Sequence, residues 1–216
     1  MTAIKICGIT REEDALAAAR LGANAIGLVF YARSPRHVTP ARAAEIMRVL
    51  PPFVMSVGLF VDAAADEVHQ TLATARVDLL QFHGDEPPEY CRRISRQCGV
   101  PYLKAARVRP GLDLLQYARD YHDARALLLD AYVEGTHGGT GATFDWALIP
   151  RDLPLPMVLS GGLTPDNVAS AIQAVQPWAV DVSSGVESSK GIKSDAKIAA
   201  FVTGVRNARE ARSADV

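Results

Sequence analysis

The sequence has little cysteine: Cys7, Cys91 and Cys98 are three in 216 residues. The number is odd and no Cys-x-x-Cys pair occurs. A disulfide framework and a zinc knuckle are therefore not expected, and the natural setting is a reducing one. An excess of one charge is also lacking, with 23 Lys plus Arg against 24 Asp plus Glu and a net charge of −1. Aromatics are only 6% of residues and are not interleaved with a basic cluster, which argues against nucleic acid or an anionic membrane as a partner. No apolar run approaches the roughly 20 residues that span a bilayer. The N-terminus has no basic segment followed by an apolar core, so no secretory signal is expected. Linkers and low-complexity stretches are missing too. The expectation is one cytoplasmic domain over residues 1–216.

What is present is a repeated beat. Short apolar, β-branched runs occur at Ile4–Cys7, Ala25–Phe30, Val54–Phe60, Leu79–His83, Tyr102–Ala106, Ala126–Asp130, Met157–Ser160 and Ala179–Val182. Their starts are 21, 29, 25, 23, 24, 31 and 22 residues apart. Most are separated by stretches of helical periodicity rich in Ala, Leu, Arg and Glu. Thr10-Arg11-Glu12-Glu13 has the form of a capping box, Thr39-Pro40 and Thr164-Pro165 each pair a cap with a first-turn proline, and Ala196–Ala208 reads as a last helix. Alternating strands and helices signal an α/β protein with a parallel sheet. Eight units fit a closed (β/α)8 TIM barrel, which typically takes about 250 residues. The alternative is an open doubly wound sheet, which has fewer strands and a G-x-G-x-x-G turn after the first. Here that turn reads Cys7-Gly8-Ile9-Thr10.

Active sites of such barrels lie at the C-terminal ends of the strands. Polar residues at those ends are Cys7, Arg36, His83, Asp130, Ser160 and Asp181. Side chains alternate along a strand, so Ile4 and Ile6 share one face and Lys5 and Cys7 the other. If the isoleucines lie under the helices, Lys5 points into the barrel and needs an acid there, for which Asp181 is the candidate. Gly161 and Gly162 follow the seventh run, and Ser183, Ser184 and Gly185 follow the eighth. Glycine loops at these two places offer close-approaching amides for a phosphate; ordinary tight turns are the other reading.

The chain resembles phosphoribosylanthranilate isomerases of tryptophan biosynthesis. The resemblance is carried by Lys5-Ile6-Cys7-Gly8, Gly27-Leu28-Val29-Phe30, Ser34-Pro35-Arg36, Gln81-Phe82-His83-Gly84, Leu129-Asp130-Ala131, Gly138-Gly139-Thr140-Gly141, Phe144-Asp145-Trp146, Ser160-Gly161-Gly162-Leu163 and Asp181-Val182-Ser183-Ser184-Gly185-Val186-Glu187, in that order. One departure is Gly191-Ile192-Lys193-Ser194, where the family usually has Gly-x-Lys-Asp; serine also caps helices, so the change concerns stability more than chemistry.

The resemblance implies an Amadori rearrangement of an aminoaldose phosphosugar, N-(5-phosphoribosyl)anthranilate, to an aminoketose. It implies Cys7 as general base, Asp130 as general acid, Arg36 on the anthranilate carboxylate and the two glycine loops on the phosphate. It implies no cofactor, no metal, and a monomer or homodimer. For a metal-dependent epimerase, the rival on this scaffold, His83, Asp130 and Asp181 lack a matching second histidine. Thiols titrate at about 8.5 and aspartate at about 4, so the roles ask the two values to move toward each other. His83 is assigned a structural hydrogen bond, Cys91 and Cys98 packing roles on one helix face, and His137 and Thr140 a place in a lid-like loop.

Overall fold

The computed structural model describes residues 2–131 and 145–213. Eight parallel strands close in sequential order: β1 (Ala3–Cys7), β2 (Ala25–Val29), β3 (Met55–Phe60), β4 (Leu79–Phe82), β5 (Tyr102–Val108), β6 (Leu127–Ala131), β7 (Met157–Leu159) and β8 (Ala179–Val182). Each expected run coincides with one of them, with ends shifted by at most two residues. Closure comes from β8 pairing with β1, in a register that puts Lys5 beside Asp181. The α-helices among the described residues are α1 (Glu12–Leu21), α2 (Pro40–Arg48), α3 (Ala65–Thr74), α4 (Pro88–Cys98), α5 (Leu114–Asp120), α6 (Val168–Val175) and α7 (Asp195–Ser213). Between β6 and β7 they show a single 3-10 turn, Trp146–Leu148. A short hairpin of β9 (Glu187–Ser189) and β10 (Ile192–Lys193) follows β8. His137, Thr140 and the glycines around them lie outside the described residues.

The helix starts show where local signals prevail and where they do not. Thr39 caps α2, accepting from Arg42 N at 3.2 Å ahead of Pro40. Ser194 takes the corresponding place before α7, accepting from Lys197 N at 3.4 Å. The capping box at Thr10 does not form. Arg11 is the α1 cap, its side chain paired with Asp14 and making no capping bond, and the Thr10 hydroxyl instead donates to Gly191 O at 2.6 Å, tying the loop after β1 to the β9–β10 hairpin. Nor does Thr164 cap α6. Asn167 Oδ1 accepts from Thr164 N at 2.8 Å and its amide donates to Gly162 O at 2.9 Å. These bonds staple the loop after β7, and the helix begins only at Val168.

Strand alternation sorts the core into two. Ile4, Ile6, Ile26, Leu28, Leu80 and Phe82 face outward to the helices and are buried there, at about 2 kcal/mol per large side chain. Inside the barrel, Leu103, Ala105, Ala126, Leu128, Val158 and Ala179 fill the end nearer the strand starts. Cys7, Val29, Leu59 and Val61 form a smaller apolar cluster at the opposite end. Lys5, Gln81 and Asp181 share the inward faces of their strands and are buried. Cys91 is buried and Cys98 half-buried against the core; burial pushes the Cys91 thiol up to about 12. The packing roles expected for both therefore hold.

One fully buried cation organises the loops beside the site. Lys104 on β5 donates to Gly84 O at 2.6 Å and Glu86 Oε2 at 3.0 Å. Glu86 in turn accepts from Asp62 N at 2.9 Å and from Gly84 N. The loops after β3 and β4 thus close around one ion pair next to His83. Removing one partner of a buried pair strands the other charge. Lys104→Met is expected to lower unfolding free energy by about 3 kcal/mol or more, as read from urea denaturation.

Candidate active site

At the C-terminal end of the barrel is a cleft lined by Cys7, Tyr31, Arg36, Gln81, His83, Asp130, Ser160, Asp181 and Ser183 among others. Seven residues singled out from sequence, Cys7, Arg36, His83, Asp130, Ser160, Asp181 and Ser183, therefore line one cleft, although they come from widely spaced positions in the chain.

Cys7 ends β1, and Gly8 follows it at φ 74°, a backbone state that side chains disfavour. A Cβ at Gly8 would also lie 2.4 Å from Arg36 Cδ, so glycine lets the Arg36 stem pass close to the strand end. Beside the thiol is the Lys5 ammonium. A Cβ on Gly27 of β2 would stand 2.6 Å from Cys7 Sγ and 3.1 Å from Lys5 Nζ, which places the two side chains next to each other. Lys5 Nζ donates to Asp181 Oδ1 at 2.8 Å, and Ser160 Oγ donates to Asp181 Oδ2 at 3.2 Å. The partner expected for Lys5 is thus the one it has. Burial opposes charge on Lys5, but Asp181 and then Cys7 outweigh it and raise its value. For the thiol the balance is the reverse: burial raises it above the ordinary value, and the Lys5 charge offsets only part of that. The downward shift expected for Cys7 does not occur in the free site, because desolvation of a buried thiolate exceeds the attraction of one already paired lysine.

Asp130 sits at the inward end of β6. Its Oδ1 accepts from Ala131 N at 2.9 Å, and its Oδ2 is 3.1 Å from His83 Nε2. His83 Nδ1 is 2.8 Å from Gln81 Nε2. The structural hydrogen bond expected of His83 therefore goes to Asp130 itself.

Arg36 is buried and already holds a carboxylate. Its Nε and Nη2 donate to Glu187 Oε1 and Oε2 at 2.7 and 2.8 Å, leaving Nη1 as the nitrogen outside this bidentate pair. Lys193 Nζ donates to the same Glu187 Oε1 at 2.9 Å and to Ser183 O at 3.1 Å. Burial alone would raise the Glu187 carboxyl, but the Arg36 bonds and Lys193 hold it below its ordinary value. Burial pulls Lys193 down despite Glu187. Sequence reasoning gave neither residue a role. The signal available was that both fall in stretches compared with the family, Asp181–Glu187 and Gly191–Ser194; neither hydrophobic period marks such a place.

The loops after β7 and β8 lie together. Gly161 and Gly162 have φ 82° and 63°. A Cβ on Gly161 would come 2.5 Å from Ala131 N and 2.9 Å from Asp130 Oδ1, so this loop rests against the end of β6. Gly185 is packed under the same loop, where a Cβ would meet Leu163 O at 2.0 Å. Ser183, Ser184 and Gly185 are half-buried, and a single 3-10 turn covers Ser184–Val186. The loops that carry the five expected phosphate residues are thus packed on each other at Gly185 and Leu163, and on the end of β6 at Gly161.

Comparison with known proteins gives the same picture. The family model for N-(5'-phosphoribosyl)anthranilate (PRA) isomerase matches residues 4–204. The chain is 61% identical over 202 residues to the N-(5'-phosphoribosyl)anthranilate isomerase of Nitrosospira multiformis, covering 94% of this chain and 95% of that protein. It is 41% identical to the crystal structure of the Thermotoga maritima enzyme, with a TM-score of 0.87 over 96% of this chain and all of that one. Another structure, 40% identical with a TM-score of 0.84 and the same coverage, is of the enzyme with reduced 1-(o-carboxyphenylamino)-1-deoxyribulose 5-phosphate. A further one, 39% identical with a TM-score of 0.84, again over 96% of this chain and 100% of that one, is of monomers generated from the dimeric T. maritima protein. With a complete barrel, a cleft at the expected strand ends and matches along nearly its whole length, this chain belongs to the N-(5'-phosphoribosyl)anthranilate isomerase family.

Proposed function

We propose that the chain performs the family's Amadori rearrangement with Cys7 as general base and Asp130 as general acid. N-(5-phosphoribosyl)anthranilate becomes 1-(2-carboxyphenylamino)-1-deoxyribulose 5-phosphate, an isomerisation in L-tryptophan biosynthesis. Asp130 gives a proton to the ribose ring oxygen, and the C1–O bond opens to an iminium. Cys7 removes the C2 proton, and the resulting enolamine tautomerises to the ketone. The observation behind this reading is that a thiol on β1 and a carboxyl on β6 face one cleft from strands that are not neighbours. A small sugar between them can be worked on at two atoms.

The ends of the substrate fit the rest of the cleft. Arg36, held by Glu187, presents Nη1 for the anthranilate carboxylate. Gly161, Gly162, Ser183, Ser184 and Gly185 offer amides and hydroxyls for the phosphate. The raised thiol also has an explanation. In the free site it stays protonated, and a positively charged iminium beside it favours loss of its proton at the moment a base is needed.

A second copy of the chain is the proposed partner. At the face opposite the cleft, Phe53 is 100% exposed at φ 70°, Trp178 is 68% exposed and Met55 is 44% exposed. Met55 and Trp178 border an apolar cavity with Ala3, Ala25, Leu79 and Ala179, the first residues of β1, β2, β4 and β8. A projecting aromatic near an apolar hollow suits a two-fold contact, in which each copy fills the other's hollow. Among the described residues no helix is long and apolar enough to cross a membrane. Three free cysteines suit the cytoplasm as its place.

With phosphoribosylanthranilate made in place from anthranilate and phosphoribosyl pyrophosphate, wild type is expected to turn over rapidly. Cys7→Ala and Asp130→Asn, folded by circular dichroism, are each expected to lose about 10²–10⁴-fold. No turnover by wild type would end the assignment; full turnover by either variant would remove that residue's role. The sign of the pH response follows from the thiol. Lys5→Met deletes a cation and leaves Asp181 unpaired, and both changes push Cys7 further up. Its alkylation at pH 7 is expected to slow, and the limb of kcat/KM set by the thiol to move to higher pH. Phe53→Ser is expected to shift light-scattering mass from dimer toward monomer; unchanged mass would place any dimer contact elsewhere.

A further inference from the structure

Gln81 is fully buried, yet its Oε1 has no hydrogen-bond partner among the described residues. Buried amide oxygens are seldom left so, and one on an amide linked through a histidine to an acid invites an account in terms of protons. The side chain heads a chain of three. Gln81 Nε2 is 2.8 Å from His83 Nδ1, and His83 Nε2 is 3.1 Å from Asp130 Oδ2.

In this orientation the amide nitrogen can only donate, so His83 Nδ1 accepts. The hydrogen of the neutral ring is then on Nε2, pointing at Asp130. That arrangement suits an ionised carboxylate, which has no proton to give. Rotating the amide by half a turn puts Oε1 on Nδ1. An amide oxygen only accepts, so the ring hydrogen moves to Nδ1 and the Nε2 lone pair faces Asp130. A carboxylate there would be repelled, whereas a protonated Oδ2 would donate to Nε2. Relative to the first arrangement, the second holds one more proton, on Asp130. The unpaired atom changes from amide oxygen to amide nitrogen, so neither orientation satisfies the whole amide and neither is locked.

We infer that Gln81 is a positioning residue whose amide orientation selects the His83 tautomer and thereby whether Asp130 carries the proton it donates. The inference rests on the reading of Asp130 as the acid. During turnover the Asp130 O–H bond breaks, the ring oxygen gains the proton, and the ring C1–O bond opens. The carboxylate left behind is stabilised once the amide turns back and Nε2–H points at it. The other titratable and charged groups of the same cleft are Cys7 from β1, Tyr31 and Arg36 after β2, and Asp181 on β8; Lys5 stands beside Cys7, and Arg107 on β5 is level with Asp130 in the strand register. All stay in place when only position 81 is changed.

The test compares the pH profile of kcat/KM in wild type, Gln81→Glu and Gln81→Leu. A carboxylate at 81 only accepts, holds hydrogen on Nδ1, and keeps the proton-bearing form to higher pH. Leucine neither accepts nor donates, and the ring returns its hydrogen to Nε2 against the carboxylate. The limb set by Asp130 is therefore expected to move up by about one unit in the first variant and down by about one in the second. Opposite displacements are not what a loss of packing produces. Limbs that coincide with wild type, or move in the same direction, overturn the inference. Should Gln81→Glu fail to fold, ¹⁵N spectra of wild-type His83 decide: hydrogen on Nδ1 below the limb and on Nε2 above it is expected, and one tautomer throughout overturns it. Asp130→Asn separates the two levels. If that variant retains turnover, the acid reading fails and takes the inference with it; if it is inactive while the Gln81 variants do not diverge, the inference alone fails.

Discussion

The barrel closes on an ion pair. β8 meets β1 with Lys5 and Asp181 side by side in register, their charged atoms 2.8 Å apart and both residues buried. Neither charge is tolerable alone inside a barrel, where desolvation of an unpaired ion is severe. The pair also has consequences at the site. Asp181 is shared with Ser160 on the strand side of the glycine loop after β7, and Lys5 stands beside the Cys7 thiol. Closure of the sheet and the electrostatics of the proposed base are therefore one arrangement.

The same economy extends around the cleft. Nearly every polar group there is anchored by another before substrate arrives. Arg36 is anchored by Glu187, Glu187 by Lys193, Lys193 by the Ser183 carbonyl, and Asp130 by His83 and its neighbouring amide. Such a lattice limits reorganisation during reaction, which is where preorganised sites gain most over water. The loose end is the oxygen of Gln81, in the polar layer between the two inner apolar clusters.

The strands were legible because their signal is local and repeated eight times. Alternation along β1 alone placed Lys5 and Cys7 inward, and the order of polar strand ends placed Cys7, Asp130 and the glycine loops at one face. Helix starts were legible only where the cap had no competing duty. Thr39 and Ser194 cap as their type suggests; the Thr10 hydroxyl is taken by Gly191 of the hairpin, and the Thr164 backbone N–H is bound by Asn167, which stands in its place before the helix, contacts that propensity does not encode.

What the sequence by itself determined is the architecture and which polar side chains end the strands, since periodicity of two and of 3.6 is written residue by residue. Only the tertiary structure decided the state of those groups. That burial would push the Cys7 thiol up, that Arg36 would meet Glu187 from 151 positions away, and that His83 would join Gln81 to Asp130 are outcomes of distance and solvent exclusion. A linear pattern carries neither quantity, because both arise only when the strands have closed and water has left the interior.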